Sequence, residues 1–182
     1  MRLRVHALAG LVLAVAASVA SAQDYPTKPI TIVVPFPTGA AVDNLVRPLT
    51  NDLQRLLGQP VVVDNKGGAQ GVIGTQFVAR AKPDGYTLLA GSSTTLAANV
   101  GLFKSLPYDP MKDFQPIAGL GYTSMMFLVR ADSQVKDLKG LITYARSQSS
   151  PLAGGFGSSS GQVALAILSA LAAEGGAWAL DQ

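Results

Sequence analysis

The chain has 182 residues, 48% of them hydrophobic and 14% charged, with no cysteine and a formal net charge of +3. The lack of cysteine excludes a lipid anchor on a cysteine, a disulfide framework and thiolate metal sites. The single histidine, His6, lies within the first 22 residues, so everything after them is without imidazole for catalysis or metal ligation.

Taken in chain order, Arg2 and Arg4 precede an apolar stretch from Leu8 to Val19 that closes in Ala20-Ser21-Ala22, the pattern of a cleavable export signal. That stretch is short for a membrane span. Cleavage after Ala22 removes two of the fourteen basic residues and no acid, leaving twelve against eleven and a net charge of +1. The remaining Lys and Arg are scattered from Lys28 to Arg146 with no basic run and no interleaved aromatics, which sets nucleic acid aside as a partner.

Strand-like and helix-like runs then alternate: Ile30 to Val34 and Asp43 to Leu57, Pro60 to Asp64 and Val72 to Lys82, Thr87 to Gly91 and Thr94 to Phe103. Such alternation predicts an α/β fold with a mainly parallel sheet. The first run, Ile-Thr-Ile-Val-Val, is β-branched and uncharged, as a buried parallel strand requires. In the helix after it Leu45, Leu49, Leu53, Leu56 and Leu57 fall at helical spacing and Gly58 is placed to end it. Pro48 removes a backbone donor inside that pattern, which predicts a kink or a late helix start. Pro83-Asp84-Gly85 reads as a turn.

After an irregular stretch, Leu106 to Pro110, two further strands are predicted, Pro116 to Gly121 and Ser124 to Arg130, and a domain crossing is placed here. Asp137 to Ser147 reads as an amphipathic helix, Pro151 to Gly155 as a short strand and Gln162 to Ala173 as an Ala/Leu helix. From Glu174 to Gln182 there is no periodicity, and no further element is expected. The domain division that follows is 1–22 signal peptide, 23–121 first lobe and 122–182 partial second lobe.

Three loops carry the candidate chemistry. Pro35 to Asp43 joins the first strand to the first helix, where unpaired N–H groups and the helix dipole suit a carboxylate or phosphate. Asp43 within it has three readings: an acid favoured by the dipole, a receiver of a ligand's amino group, or a brace for the loop. Gly91-Ser92-Ser93-Thr94-Thr95 follows the third strand, at the sheet edge where such loops gather around a cleft, or else it is simply a helix cap. Gly155-Phe156-Gly157-Ser158-Ser159-Ser160-Gly161-Gln162 stands in the same relation to the last helix. Its Gly157-Ser158-Ser159-Ser160-Gly161 also satisfies the Gly-x-Ser-x-Gly elbow of serine hydrolases, with Ser159 as nucleophile. That alternative is discounted because no histidine is available as its base and no Ser-x-x-Lys motif accompanies it. Gly67 to Gly74 fits neither nucleotide-binding fingerprint, and its glycines are expected to let a helix approach the sheet closely.

Five segments together resemble the Bug family of periplasmic substrate-binding proteins associated with tripartite tricarboxylate transporters. They are Tyr25 to Ile30, Val34 to Asp43, Leu57 to Lys66, Lys82 to Leu89 and Leu106 to Phe114, and the likeness runs to about Gln162. The resemblance implies a periplasmic-binding-protein-like clamshell of two α/β lobes with mainly parallel sheets, without cofactor or enzymatic activity. It implies a monomer that captures a small organic carboxylate, a di- or tricarboxylate or an acidic amino acid, and delivers it to the membrane components of the transporter. Thr38, Gly39, Ala40, Ala41, Asp43 and Ser92 would contribute from one lobe and Ser158, Ser159, Ser160 and Gly161 from the other. Two departures stand out. The family's first loop more often reads Pro-Pro-Gly-Gly where this chain has Pro37-Thr38-Gly39-Ala40, and family members run to roughly twice the length, as two ordinary domains do. The second lobe is therefore expected to be incomplete, the chain a truncated or frameshifted product, and its binding weak or absent.

Overall fold

The computed structural model describes residues 25–150, 152–172 and 178–180, giving the backbone alone at 171, 172 and 178–180. The expected signal peptide and Pro151 lie outside the described residues. No helix among the described residues is long and apolar enough to cross a membrane.

Three parallel strands form the principal sheet in the order β2-β1-β3: β1 at Ile30–Val34, β2 at Val61–Asn65 and β3 at Thr87–Leu89. Ile30 is in register with Val61, and Ile32 lies between Val63 and Leu88. β1 holds the centre because its sequence is uncharged and almost wholly apolar, with side chains buried on both faces. Ile30, Ile32 and Val34 pack with Val46, Val61 and Ala90 in one core, while Val33 is fully buried on the opposite face. Each such side chain contributes about 1.5–3 kcal/mol through its removal from water, so one strand anchors the layer on either side of it.

Pro48 divides the first helix in two, α1 at Ala41–Val46 and α2 at Leu49–Leu57, rather than kinking it. The Thr50 hydroxyl and amide both donate to the Arg47 carbonyl at the break. Gly58 ends α2 in the left-handed conformation, with φ of 67°. Between β2 and β3 the chain forms a short 3-10 turn, Ala69–Gly71, that the sequence had not indicated, and then α3, Val72–Ala79, where a helix from Val72 to Lys82 was expected. The close approach expected of these glycines is present: a Cβ on Gly74 would lie 2.6 Å from the Lys66 carbonyl oxygen and 2.8 Å from Pro35 Cα. After β3 the chain enters a wide π-type turn, Thr94–Ala98, which continues as α4, Asn99–Leu102.

The two strands predicted at Pro116 to Gly121 and Ser124 to Arg130 do not form; this region has no regular secondary structure and is exposed throughout. Its composition suits a strand, but no described segment of the chain pairs with it, and β-propensity is expressed only through pairing and burial. Further on, α5, Leu138–Ser147, is capped by Asp137, whose carboxylate accepts the Gly140 N–H at 2.7 Å. β4, Leu152–Gly154, precedes α6, Ser159–Ala172, which starts three residues earlier than the periodicity indicated. A further strand, β5 at Trp178–Leu180, pairs in parallel with β4 where no element had been expected. Three residues are too few to show a period, and it is the return after a helix that makes the unit.

Gly74→Ala is expected to destabilise the fold by about 1–3 kcal/mol, because backbone atoms rather than a flexible side chain stand where the methyl would go. Gly101→Ala, with nothing within 4 Å of its added Cβ, should be neutral or stabilising. Urea unfolding of the two variants checks the contrast, and equal midpoints would contradict it.

Candidate functional site

The order β2-β1-β3 has a topological consequence. The chain leaves β1 toward one side for β2 and must cross back over to the other for β3, so the segments following β1 and β3 diverge at the C-terminal edge of neighbouring strands. Crevices at such switch points are where open α/β sheets place their ligands. The loops singled out in the sequence, Pro35 to Asp43 and Gly91 to Thr95, are those two segments.

The first loop is held from within. Gly39 adopts φ of 84°, which lets the Ala40 N–H close a turn onto the Pro37 carbonyl at 3.1 Å. The Asp43 carboxylate, 1% exposed as a residue, then gathers four hydrogen bonds. Its Oδ2 accepts the Gly39 N–H at 2.9 Å and Arg47 Nε at 3.2 Å, and its Oδ1 accepts Arg47 Nη2 at 2.7 Å and Asn65 Nδ2 at 3.0 Å. Asn65, the last residue of β2, also donates to the Phe36 carbonyl at 3.1 Å, while its own oxygen receives Thr38 Oγ1 and Arg47 Nη2. Of the three readings of Asp43, bracing is the one this geometry displays. The Arg47 guanidinium beside it, followed by the Gly39 amide and Asn65, holds the carboxyl well below the usual carboxylate range, against the opposing effect of burial. Thr38, Gly39 and Ala41 face solvent and Ala40 is half-buried.

The second loop is tied down by residues that sequence reasoning passed over. The Ser92 N–H donates to Thr95 Oγ1 at 3.1 Å, and that hydroxyl donates to the Ser92 carbonyl. A π-type turn spaces its carbonyls differently from an α-helix, and here the buried Tyr108 hydroxyl donates to the Thr95 carbonyl at 2.7 Å. Asn99, fully buried, donates to the Gln70 carbonyl at 3.1 Å. Ala69 and Gln70 both have positive φ, at 48° and 55°, an uncommon state for residues with a Cβ. Tyr108 and Asn99 carry no signature of their own. The signal available was the position of Tyr108 within Leu-Pro-Tyr-Asp-Pro, a rigid irregular stretch with one aromatic.

The third loop meets the second. Ser160 Oγ lies 3.1 Å from Ser93 Oγ and 3.0 Å from Thr94 Oγ1. Ser158 caps α6 by accepting the Gly161 N–H at 3.2 Å, a contact of the kind that contributes about 1 kcal/mol. Among the described residues Ser92 Oγ and Ser159 Oγ, and also Asn99 Oδ1, are buried without a hydrogen-bond partner. Leaving such a group unpaired costs about 1–3 kcal/mol. Ser159 Oγ also has no base within hydrogen-bonding reach, so the elbow motif is not assembled as a nucleophile. No group of acidic residues or histidines that could hold a metal ion occurs among the described residues. Two surface hollows, one bordered by Asn51, Gln54 and Pro60 and the other by Gln134, Thr143 and Tyr144, include none of the hydroxyl cluster.

An α/β sheet with diverging loops at its switch point, facing a second βα unit across a cluster of serines, defines the class of periplasmic binding proteins. The chain belongs to the tripartite tricarboxylate transporter receptor family, whose model matches residues 45–176. It is 39% identical over 148 residues to the protein BugT of Bordetella pertussis, covering 80% of this chain and 45% of that one. Among solved structures it is similar to MatC from Rhodopseudomonas palustris with bound malate, with a TM-score of 0.74 and 32% identity over 86% of this chain and 54% of the other. A second R. palustris protein, solved with adipate, gives a TM-score of 0.70 and 27% identity over 87% and 54%. The chain thus spans about half the length of the relatives it matches.

Asp43 makes acid stability a test of the first loop. Because its carboxyl is depressed in the folded state, its stabilising effect is complete above the unfolded value of about 3.9 and declines as pH falls from there. Asp43→Asn is expected to be less stable than the parent at pH 7 and to lose less stability between about pH 4 and 2. Urea unfolding across that window checks it; parallel pH profiles would contradict the assignment.

Proposed function

We propose that the chain captures a small organic carboxylate in the periplasm, held between the Thr38–Asp43 and Ser92 loops on one side and Ser158 to Gly161 on the other, for delivery to the membrane components of a tripartite tricarboxylate transporter. The lobes divide near residue 121, and the work is binding rather than catalysis. The observation that carries this reading is the pair of buried, unpartnered hydroxyls, Ser92 Oγ and Ser159 Oγ, beside a contact between the two loops. A carboxylate offers about four lone-pair sites and no donor, which suits hydroxyl and backbone N–H groups. Each hydrogen bond to a charged partner is worth about 1.5–3 kcal/mol. The malate and adipate of the two R. palustris structures support a dicarboxylate for those proteins and make that class the first choice here.

The loops that meet at Ser160 belong to two βα units joined only through an irregular stretch, an arrangement suited to closure about a hinge. A ligand pairing with both orphan hydroxyls would favour the closed state, which without ligand leaves both unsatisfied.

Ser92→Ala and Ser159→Ala give this reading a signature that separates it from a structural role. Each is expected to leave unfolding midpoints unchanged or raised, since the hydroxyl removed has no protein partner, while weakening dicarboxylate binding about 10–100-fold, as loss of one charged hydrogen bond implies. Amide chemical-shift titrations with malate, adipate, citrate and glutamate at millimolar concentrations provide the measurement. Absence of any shift around Ser92 and Ser159 with all four would overturn the proposal.

A further inference from the structure

The three consecutive serines at the start of α6 have three different surroundings. Ser158 Oγ accepts the Gly161 N–H at 3.2 Å, which commits it to the helix start. Ser159 is 1% exposed and its hydroxyl has no partner. Ser160 is half-buried, and its hydroxyl reaches out of its own unit, lying 3.1 Å from Ser93 Oγ and 3.0 Å from Thr94 Oγ1. With one proton and two lone pairs, it can donate to one of these and accept from the other. Among the described residues no other hydrogen bond or ion pair joins residues 25–121 to residues 122–172. The polar attachment between the two units therefore passes through one side chain. Thr94 is 4% exposed, and Ser160 Oγ is the partner of its hydroxyl. A buried hydroxyl left alone is penalised more heavily than a pair removed together, so the joined arrangement tolerates loss of Ser160 less well than loss of both groups.

We propose that Ser160 is a positioning residue, a latch that holds the two lobes together with or without ligand and so sets the ratio of open to closed protein that a ligand meets. Direct contact with the carboxylate is left to Ser92 and Ser159. This rests on the two-lobe reading given above, but it makes no use of the ligand's identity. The apparent dissociation constant of a ligand that needs the closed state varies inversely with the closed fraction. The latch therefore strengthens binding of every ligand of the site by the same factor and selects among none of them.

Because the chain has no cysteine, spin labels attach only where one is introduced. Gln54→Cys on α2 and Lys139→Cys on α5, both exposed, place one label in each lobe, while Gln54→Cys with Lys82→Cys, also exposed, places two in the first. Pulsed electron paramagnetic resonance then gives the distances in the full chain without ligand. Ser160→Ala is expected to raise the open-to-closed ratio about 3–30-fold, lengthening the distance between lobes and leaving the distance within the first lobe unchanged. Ser160→Thr, which keeps the hydroxyl, should retain the parent distribution. Adding Thr94→Val to Ser160→Ala should recover part of the closed population, since it removes the hydroxyl left unpaired. Identical distributions for Ser160→Ala and the parent would overturn the proposal, as would equal lengthening in Ser160→Thr. Repeating the measurement with malate and adipate separates the latch from the carboxylate reading: a ligand-free shift in a chain whose distances neither compound alters upholds the first and counts against the second.

Discussion

The Asp43 carboxylate is buried next to the central strand, a placement that would be prohibitive for an isolated charge and is tolerated because four donors converge on its two oxygens. Those donors come from three directions: the Gly39 amide from the loop, Arg47 from the end of α1 and Asn65 from the end of β2. One side chain therefore fixes the loop after β1 relative to both the helix that follows and the neighbouring strand. Remove the charge and the Gly39 turn, the α1 break at Pro48 and the Asn65 contact to Phe36 lose their common partner together.

The opposite wall is secured by a different economy. A π-type turn and a positive-φ pair, Ala69 and Gln70, are conformations that cost energy. Hydrogen bonds from the Tyr108 hydroxyl to Thr95 and from Asn99 to Gln70 offset part of it. Gly71 adds the steric condition: a Cβ there would come within 2.6 Å of Thr95 Cγ2 and 3.2 Å of the Pro35 oxygen. Pro35 and Thr95, one from each loop at the switch point, thus share a single glycine as their spacer.

How much of this was legible in the sequence varied with how local the cause was. The Ile30 to Val34 run declared a buried parallel strand because it is β-branched throughout and uncharged, as burial on both faces requires, and Pro48 declared a break because it lacks a donor. The candidate loops were found because strand-to-helix junctions rich in glycine and serine are visible as such. Asn65, Arg47, Asn99 and Tyr108 were not, since what matters in each is a partner 18 to 29 residues away for Arg47, Asn65 and Asn99, and 13 away for Tyr108. The strands expected at 116–130 illustrate the converse: their composition was read correctly as apolar and β-prone, but a strand is a property of a pair. β5 escaped notice for the same reason, with parallel pairing to β4 supplying what three residues alone cannot announce.

Arg47 and Asp43 cancel one another's charge at the first loop, and no ionic side chain takes part in the hydrogen bonds that join the second loop to the third among the described residues. Hydroxyls and amides act through dipoles at contact distance rather than through a field reaching into the medium, and counterions screen only the latter. A compartment in communication with the outside takes on the salinity of its surroundings. A carboxylate held as proposed, by a site without net charge of its own, would be gripped with little dependence on salt.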